Sequence, residues 1–273
     1  MKFLGELLNV LDARMDVPTL YGWFHLLFFA AAVGIGIVLC ITKKPTDSFV
    51  NKLLLLVSLL SIVLEVYKQI NYTFTYNGQT IEGDFQWYAF PFQFCSTPMY
   101  VGLLAFLLRK CKVRENLQAY LATYALFAGL VVMIYPAQVF ISTIGINIQT
   151  MICHGSMLTI GIYLLGSQYV KLEHKTICKA LPVFLCLVLT AIVMNEIAYV
   201  TGLLETETFN MFFISPHCEP SLPVYSLVQE VVPYPWCMII YVLIFTLAAY
   251  IMLLLAMAFK GKLKRKSMAE INA

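Results

Sequence analysis

Residues 20–41 read LYGWFHLLFFAAAVGIGIVLCI, an apolar run with no Asp, Glu, Lys or Arg, and residues 42–48 that follow read TKKPTDS. A run of this length, rising 1.5 Å per residue as a helix, crosses a hydrocarbon layer of about 30 Å. Its unbroken apolarity excludes a barrel strand, which would alternate polar and apolar side chains over about ten residues. The pattern recurs at 49–70, 90–108, 117–134, 150–169, 180–199 and 235–259. The expected fold is therefore all-α, a polytopic membrane protein of seven transmembrane helices. Composition agrees, with 60% hydrophobic and 12% charged residues, against about one half and one quarter in a soluble domain. No small-residue cleavage site follows the first run, so it is expected to remain in the mature chain.

Basic residues set the expected orientation. Lys43, Lys44 and Lys52 flank the first connection, Arg109, Lys110, Lys112 and Arg114 the third, and Lys171, Lys175 and Lys179 the fifth, while the tail carries Lys260, Lys262, Lys264, Arg265 and Lys266. All but Lys2, Arg14 and Lys68 of the 18 Lys and Arg residues are thereby placed on one side. By the positive-inside rule that side is cytoplasmic, so the N-terminus is expected outside and the C-terminus inside a cell membrane crossed several times. Three parts follow: an interfacial amphipathic helix and lead-in over 1–19, a membrane domain over 20–259 and a basic tail over 260–273. In the first part Leu4, Leu7, Leu8 and Leu11 share a face opposite Lys2, Glu6, Asn9 and Asp12, the pattern of a helix lying in the outer interface.

The usual soluble-enzyme chemistries leave no trace. The eight cysteines form no C-x-x-C pair and no Cys/His zinc spacing, and there is no Gly-rich phosphate loop or H-E-x-x-H pattern. No cofactor, no metal and no nucleic-acid partner are expected. Polar residues inside the spans are the functional candidates, because an ionisable group there is costly unless it faces the bundle interior. Counting along each run puts Glu65, Lys68, Cys95, His154, Asn195 and Glu196 within a few residues of the outer ends of four spans. Most of them fall roughly 6–8 Å below the outer interface. The long connection 201–234 adds Asn210, Ser215, His217 and Glu219, and Trp236 opens the last span. A thiol beside an imidazole can act as a nucleophile if a carboxylate or amide orients the ring. Cys95 with His154 is the expected catalytic pair, with Glu65, Lys68, Gln93, Asn195, Glu196, Asn210 and Trp236 supporting it. Glu65 and Lys68, three apart on one helix face, read equally well as an ion pair that locks the bundle. Cys153 neighbours His154 in sequence but points about 100° away on a helix. His25 either joins the layer or sits at the interface.

Phe90-Pro91-Phe92-Gln93-Phe94-Cys95-Ser96, Glu65, His154-Gly155-Ser156, Asn210-Met211-Phe212 and Pro233-Tyr234-Pro235-Trp236 together resemble the YwaF-type bacterial integral membrane proteins related to the transmembrane protein 164 acyltransferases. The resemblance implies a seven-helix acyltransferase working on phospholipids and lysophospholipids through a cysteine acyl-thioester on the outer side. The family's pattern carries histidine where this chain has Gln93, which leaves His154 as the base. A different class remains in view, a small-solute transporter whose outward-facing polar layer binds a substrate without reacting with it. Broken-helix inverted repeats would favour that class, and none is visible.

Overall fold

The computed structural model describes residues 2–108, 110–220, 222 and 225–271, with side chains described as far as Lys260. Arg109 and the side chains of Lys262, Lys264, Arg265 and Lys266, all counted in the orientation argument, lie outside the described residues. Helices dominate: α1 (Lys2–Leu11), α2 (Trp23–Thr42), α3 (Asp47–Thr73), α4 (Thr97–Leu107), α5 (Lys112–Tyr120), α6 (Leu126–Ile134), α7 (Ile144–Gly166), α8 (Lys175–Val200), α9 (Tyr225–Val231) and α10 (Tyr234–Ile271). Helices α5 and α6 form one span, Lys112–Ile134, joined by a five-residue π turn at Leu121–Ala125. Among the described residues six spans are long and apolar enough to cross a membrane. The chain is an all-α polytopic membrane protein.

The expected third span is not one helix. Residues 90–96 are irregular, and only Thr97–Leu107 is α-helical, about 16 Å of helix at 1.5 Å per residue. Two prolines account for this. Pro91 supplies no N–H and bars helical backbone at Phe90, whereas Pro98 stands in the first turn of α4, where a missing N–H costs nothing. The irregular piece and α4 nevertheless run back along the whole of α3. Gln69 Nε2 donates to the Ala89 carbonyl at 2.8 Å, Gly102 packs on Ser58, and Lys110 pairs with Asp47 at the far end. A methyl group at Gly102 would stand 2.5 Å from the Ser58 hydroxyl, so glycine is what permits this approach.

Helix α7 is the buried centre, with 72% of its span enclosed, against 22% for α2, α8 and α10. It packs mainly against α2 and α6. Gly129 of α6 makes the second contact possible, since a methyl there would lie 2.8 Å from the His154 carbonyl. The outer helices turn leucine, valine and isoleucine side chains such as Leu56, Val63, Leu189 and Leu243 outward. A soluble protein hides such side chains; here hydrocarbon is their expected partner.

Two elements cap the end of the bundle near Glu65. A hairpin, β1 (Phe74–Tyr76) with β2 (Ile81–Gly83), pairs Phe74 with Gly83 and Tyr76 with Ile81. Helix α1 lies beside it, its Gly5 against the Tyr76 ring, and Tyr67 and Asn71 of α3 donate to the Leu11 carbonyl. Leu8 is buried, while Leu4 and Leu7 remain exposed, leaving an apolar face as an interfacial helix would require. At the opposite end Lys110 meets Asp47, and Lys179 meets Glu115, so basic connections do converge there. If that end is cytoplasmic, Glu205→Cys is labelled by an impermeant thiol reagent in intact cells, once labelling of Cys218 is subtracted. A cysteine placed in the 260–273 tail stays unlabelled until the cells are opened. Labelling of the tail in intact cells would reverse the orientation.

Candidate active site

Cys95 occupies the last turn of the irregular segment, two residues before α4, rather than a position inside a helix. Three hydrogen bonds hold this turn: Ser96 N–H to the Gln93 carbonyl at 2.8 Å, Thr97 N–H to the same carbonyl at 3.2 Å, and the Thr97 hydroxyl to the Phe94 carbonyl at 2.9 Å. Because Thr97 spends its proton on Phe94, its contact with the Tyr120 hydroxyl at 2.8 Å must be donated by Tyr120. Cys95 thus stands immediately before the first turn of a short helix.

The Cys95 side chain lies beside the imidazole of His154 of α7. His154 is 6% exposed, whereas Cys95 is half-buried. The Nδ1 of His154 lies 2.7 Å from the Thr150 carbonyl. A carbonyl only accepts, so Nδ1 carries the proton and Nε2 is left as the acceptor. Glu65 and Lys68 stand close enough for their charges to be felt at Cys95. They form a buried ion pair at 2.7 Å, and Gln69 Nε2 donates to the same Glu65 oxygen at 2.8 Å. Neither orients the imidazole; the Thr150 carbonyl does. Glu65→Gln leaves Lys68 without a countercharge inside the bundle, a loss of about 3–5 kcal/mol. Lys175→Gln, at an exposed loop end, is expected to change stability little. Equal melting temperatures and equal activities for the two variants would remove Glu65 from the site.

The amide side chains perform a different task from the one expected of them. Gln93 donates to the Asn210 carbonyl at 3.0 Å and accepts from Phe212 N–H at 3.1 Å. Asn195 donates to the Met211 carbonyl at 3.0 Å and accepts from Met211 N–H at 2.7 Å. Asn210 accepts from Ser215 N–H at 2.9 Å. Together they pull part of the long connection into the bundle, where Met211 and Phe212 are completely buried. The Phe212 ring lies over Phe94, with centroids 5.5 Å apart, and Phe94 directly precedes Cys95 in sequence. Phe212 and Phe213 both have positive φ, 60° and 57°, a conformation that costs about 1–3 kcal/mol per residue and persists only where surrounding contacts impose it.

Two expected members are not brought to the pair. Glu196 turns to His217, 3.2 Å away, and that imidazole stacks on Tyr199. Trp236 is 63% exposed at the start of α10. His25 is a structural residue, fully satisfied by Tyr21 N–H at Nδ1 and the Met133 carbonyl at Nε2. Cys153 lies against Gln149 at 3.6 Å. Gln69 and Thr150 were missed in the sequence. Gln69 was detectable, being four residues from Glu65 on one helix face, whereas a backbone carbonyl has no sequence signature.

The model of the TMEM164 family matches residues 20–253. The chain belongs to the TMEM164 family. The match takes in the whole Cys95 and His154 constellation and the Asn210–Phe212 insertion, and leaves α1 and the basic tail outside it. No curated protein and no solved structure matches the chain significantly.

Proposed function

We propose that the protein is an integral membrane acyltransferase or transacylase that moves phospholipid acyl chains through a thioester on Cys95. The observation that supports this reading is the nearness of Cys95 to a histidine whose Nδ1 proton is committed to a backbone carbonyl. Nε2 then takes the thiol proton as sulfur attacks the ester carbonyl. Collapse of the tetrahedral intermediate breaks the ester bond, and the departing lysophospholipid alkoxide takes its proton from the imidazolium. In the second half an acceptor hydroxyl, held by a lysophospholipid, gives its proton to Nε2 and attacks the thioester, and the thiol is restored. Water in that role would make the protein a lipid hydrolase. The positive end of α4 and the Lys68 ammonium are suited to stabilise the negative charge on sulfur and on the intermediate.

The test is intact-protein mass after incubation with phospholipid. A single acyl adduct mapped to Cys95 is the expected result. A cavity of about 450 Å³ bordered by Gln93, Asn210 and His217 suits the rival reading, a protein that binds a small polar solute. Solute-dependent stabilisation with no adduct on any cysteine would favour that rival.

A further inference from the structure

We propose that the basic end of the bundle holds a phosphate-binding site built around Arg114, separate from the Cys95 site. Along α3 it lies 18 residues from Glu65, about 27 Å at 1.5 Å per residue. A cavity of about 300 Å³ opens there between the start of α3, the first turn of α5 and the loop from α7 to α8.

Arg114 is the unusual residue. It is only 5% exposed, and its Nη2 donates to a neutral partner, Asn51 Oδ1, at 2.5 Å. Its Nε is buried without any hydrogen-bond partner among the described residues. An arginine does not lose its proton to relieve such a cost, so a buried guanidinium with an idle donor calls for an anion.

The acids nearby are already engaged. Asp47 is held by Lys110 and accepts from the Tyr169 hydroxyl at 2.7 Å, and Glu115 is held by Lys179 at 2.8 Å. With both carboxylates matched by a lysine, Arg114 and Lys171 are the surplus charges lining the cavity. Two surplus positive charges suit a phosphate group, whose oxygens match the planar guanidinium fork. Basic pockets between membrane helices at the cytoplasmic surface are where lipid phosphates bind. A phosphorylated solute from the aqueous phase offers the same chemistry.

The test uses the full chain, purified and stripped of lipid in detergent. Phosphatidate or phosphatidylcholine is added and retention is read by native mass spectrometry, while inorganic phosphate is tested separately by thermal unfolding. One phosphatidate retained per chain, with phosphatidylcholine lost, is expected. Lys171→Gln should weaken retention about fivefold, the effect of one basic residue at an anionic surface, and Arg114→Gln should abolish it. Stabilisation by inorganic phosphate without phosphatidate retention assigns the same site to a soluble phosphate. Equal retention of both lipids with no response to phosphate overturns the proposal. So does unaltered binding in Lys171→Gln, an exposed-side-chain variant that decides the matter even if Arg114→Gln does not fold.

Discussion

Replacing His154 by alanine is expected to slow acylation of Cys95 by about 10²–10⁴-fold, the usual contribution of a general base. The ring cannot be substituted from elsewhere in the site. His25 has both nitrogens bonded, and His217 is occupied by Glu196 and Tyr199. Cys95→Ser should abolish the adduct altogether while leaving the melting temperature nearly unchanged, because oxygen replaces sulfur in an almost isosteric side chain. Cys153→Ser should leave the adduct intact, since that thiol is turned toward Gln149 rather than to the imidazole. The measurement is the rate at which the acylated mass appears. Full lipid turnover by purified Cys95→Ser would end the thioester mechanism. Unchanged acylation in a folded His154→Ala protein would remove the histidine from it.

Asn195→Leu is expected to cause the largest structural loss. Asn195 is 1% exposed and uses both ends of its amide on the backbone of Met211, itself fully buried. Leucine keeps the volume but strands one N–H and one carbonyl, each costing about 1–3 kcal/mol, with no water at hand to replace the lost bonds. The same change frees the strained backbone at Phe212 and Phe213. The inserted segment should therefore lift away, taking the Phe212 ring off Phe94. Cys218, half-buried and directed at the Phe209 carbonyl at 3.4 Å, reports the event. Its reaction with a thiol reagent should accelerate as the melting temperature falls. Unchanged Cys218 reactivity together with an unchanged melting temperature would show that the clamp does not hold the segment.

Six of the seven expected helical spans were readable because hydrocarbon leaves few options. A backbone crossing it must satisfy its own hydrogen bonds, so an uninterrupted apolar run of sufficient length is a helix almost regardless of its neighbours. Counting residues at a constant rise put Glu65, Cys95 and His154 at one level, although Cys95 stands on an irregular segment and not on a helix. Span 90–108 misled because apolarity alone does not distinguish a helix from an irregular segment buried in protein. Pro91 and Pro98 carried the warning.

Direction and partnership were decided by tertiary structure. The amide of Asn195 bonds Met211, sixteen positions on, and Gln93 bonds Phe212 across the bundle. Neither pairing has a sequence period. Arg114 reads as a routine positive-inside residue until packing shows it enclosed, with a neutral partner and an idle Nε. The sequence by itself determined which segments enter the membrane, since transfer from water to hydrocarbon depends on composition over each short run. Which polar groups meet, which turn outward and which remain unpaired was decided only when the helices packed. Hydrogen bonds between distant residues depend on rotation and register about each helix axis, and these are set by the neighbouring surfaces, with Gly102 and Gly129 admitting the closest of them.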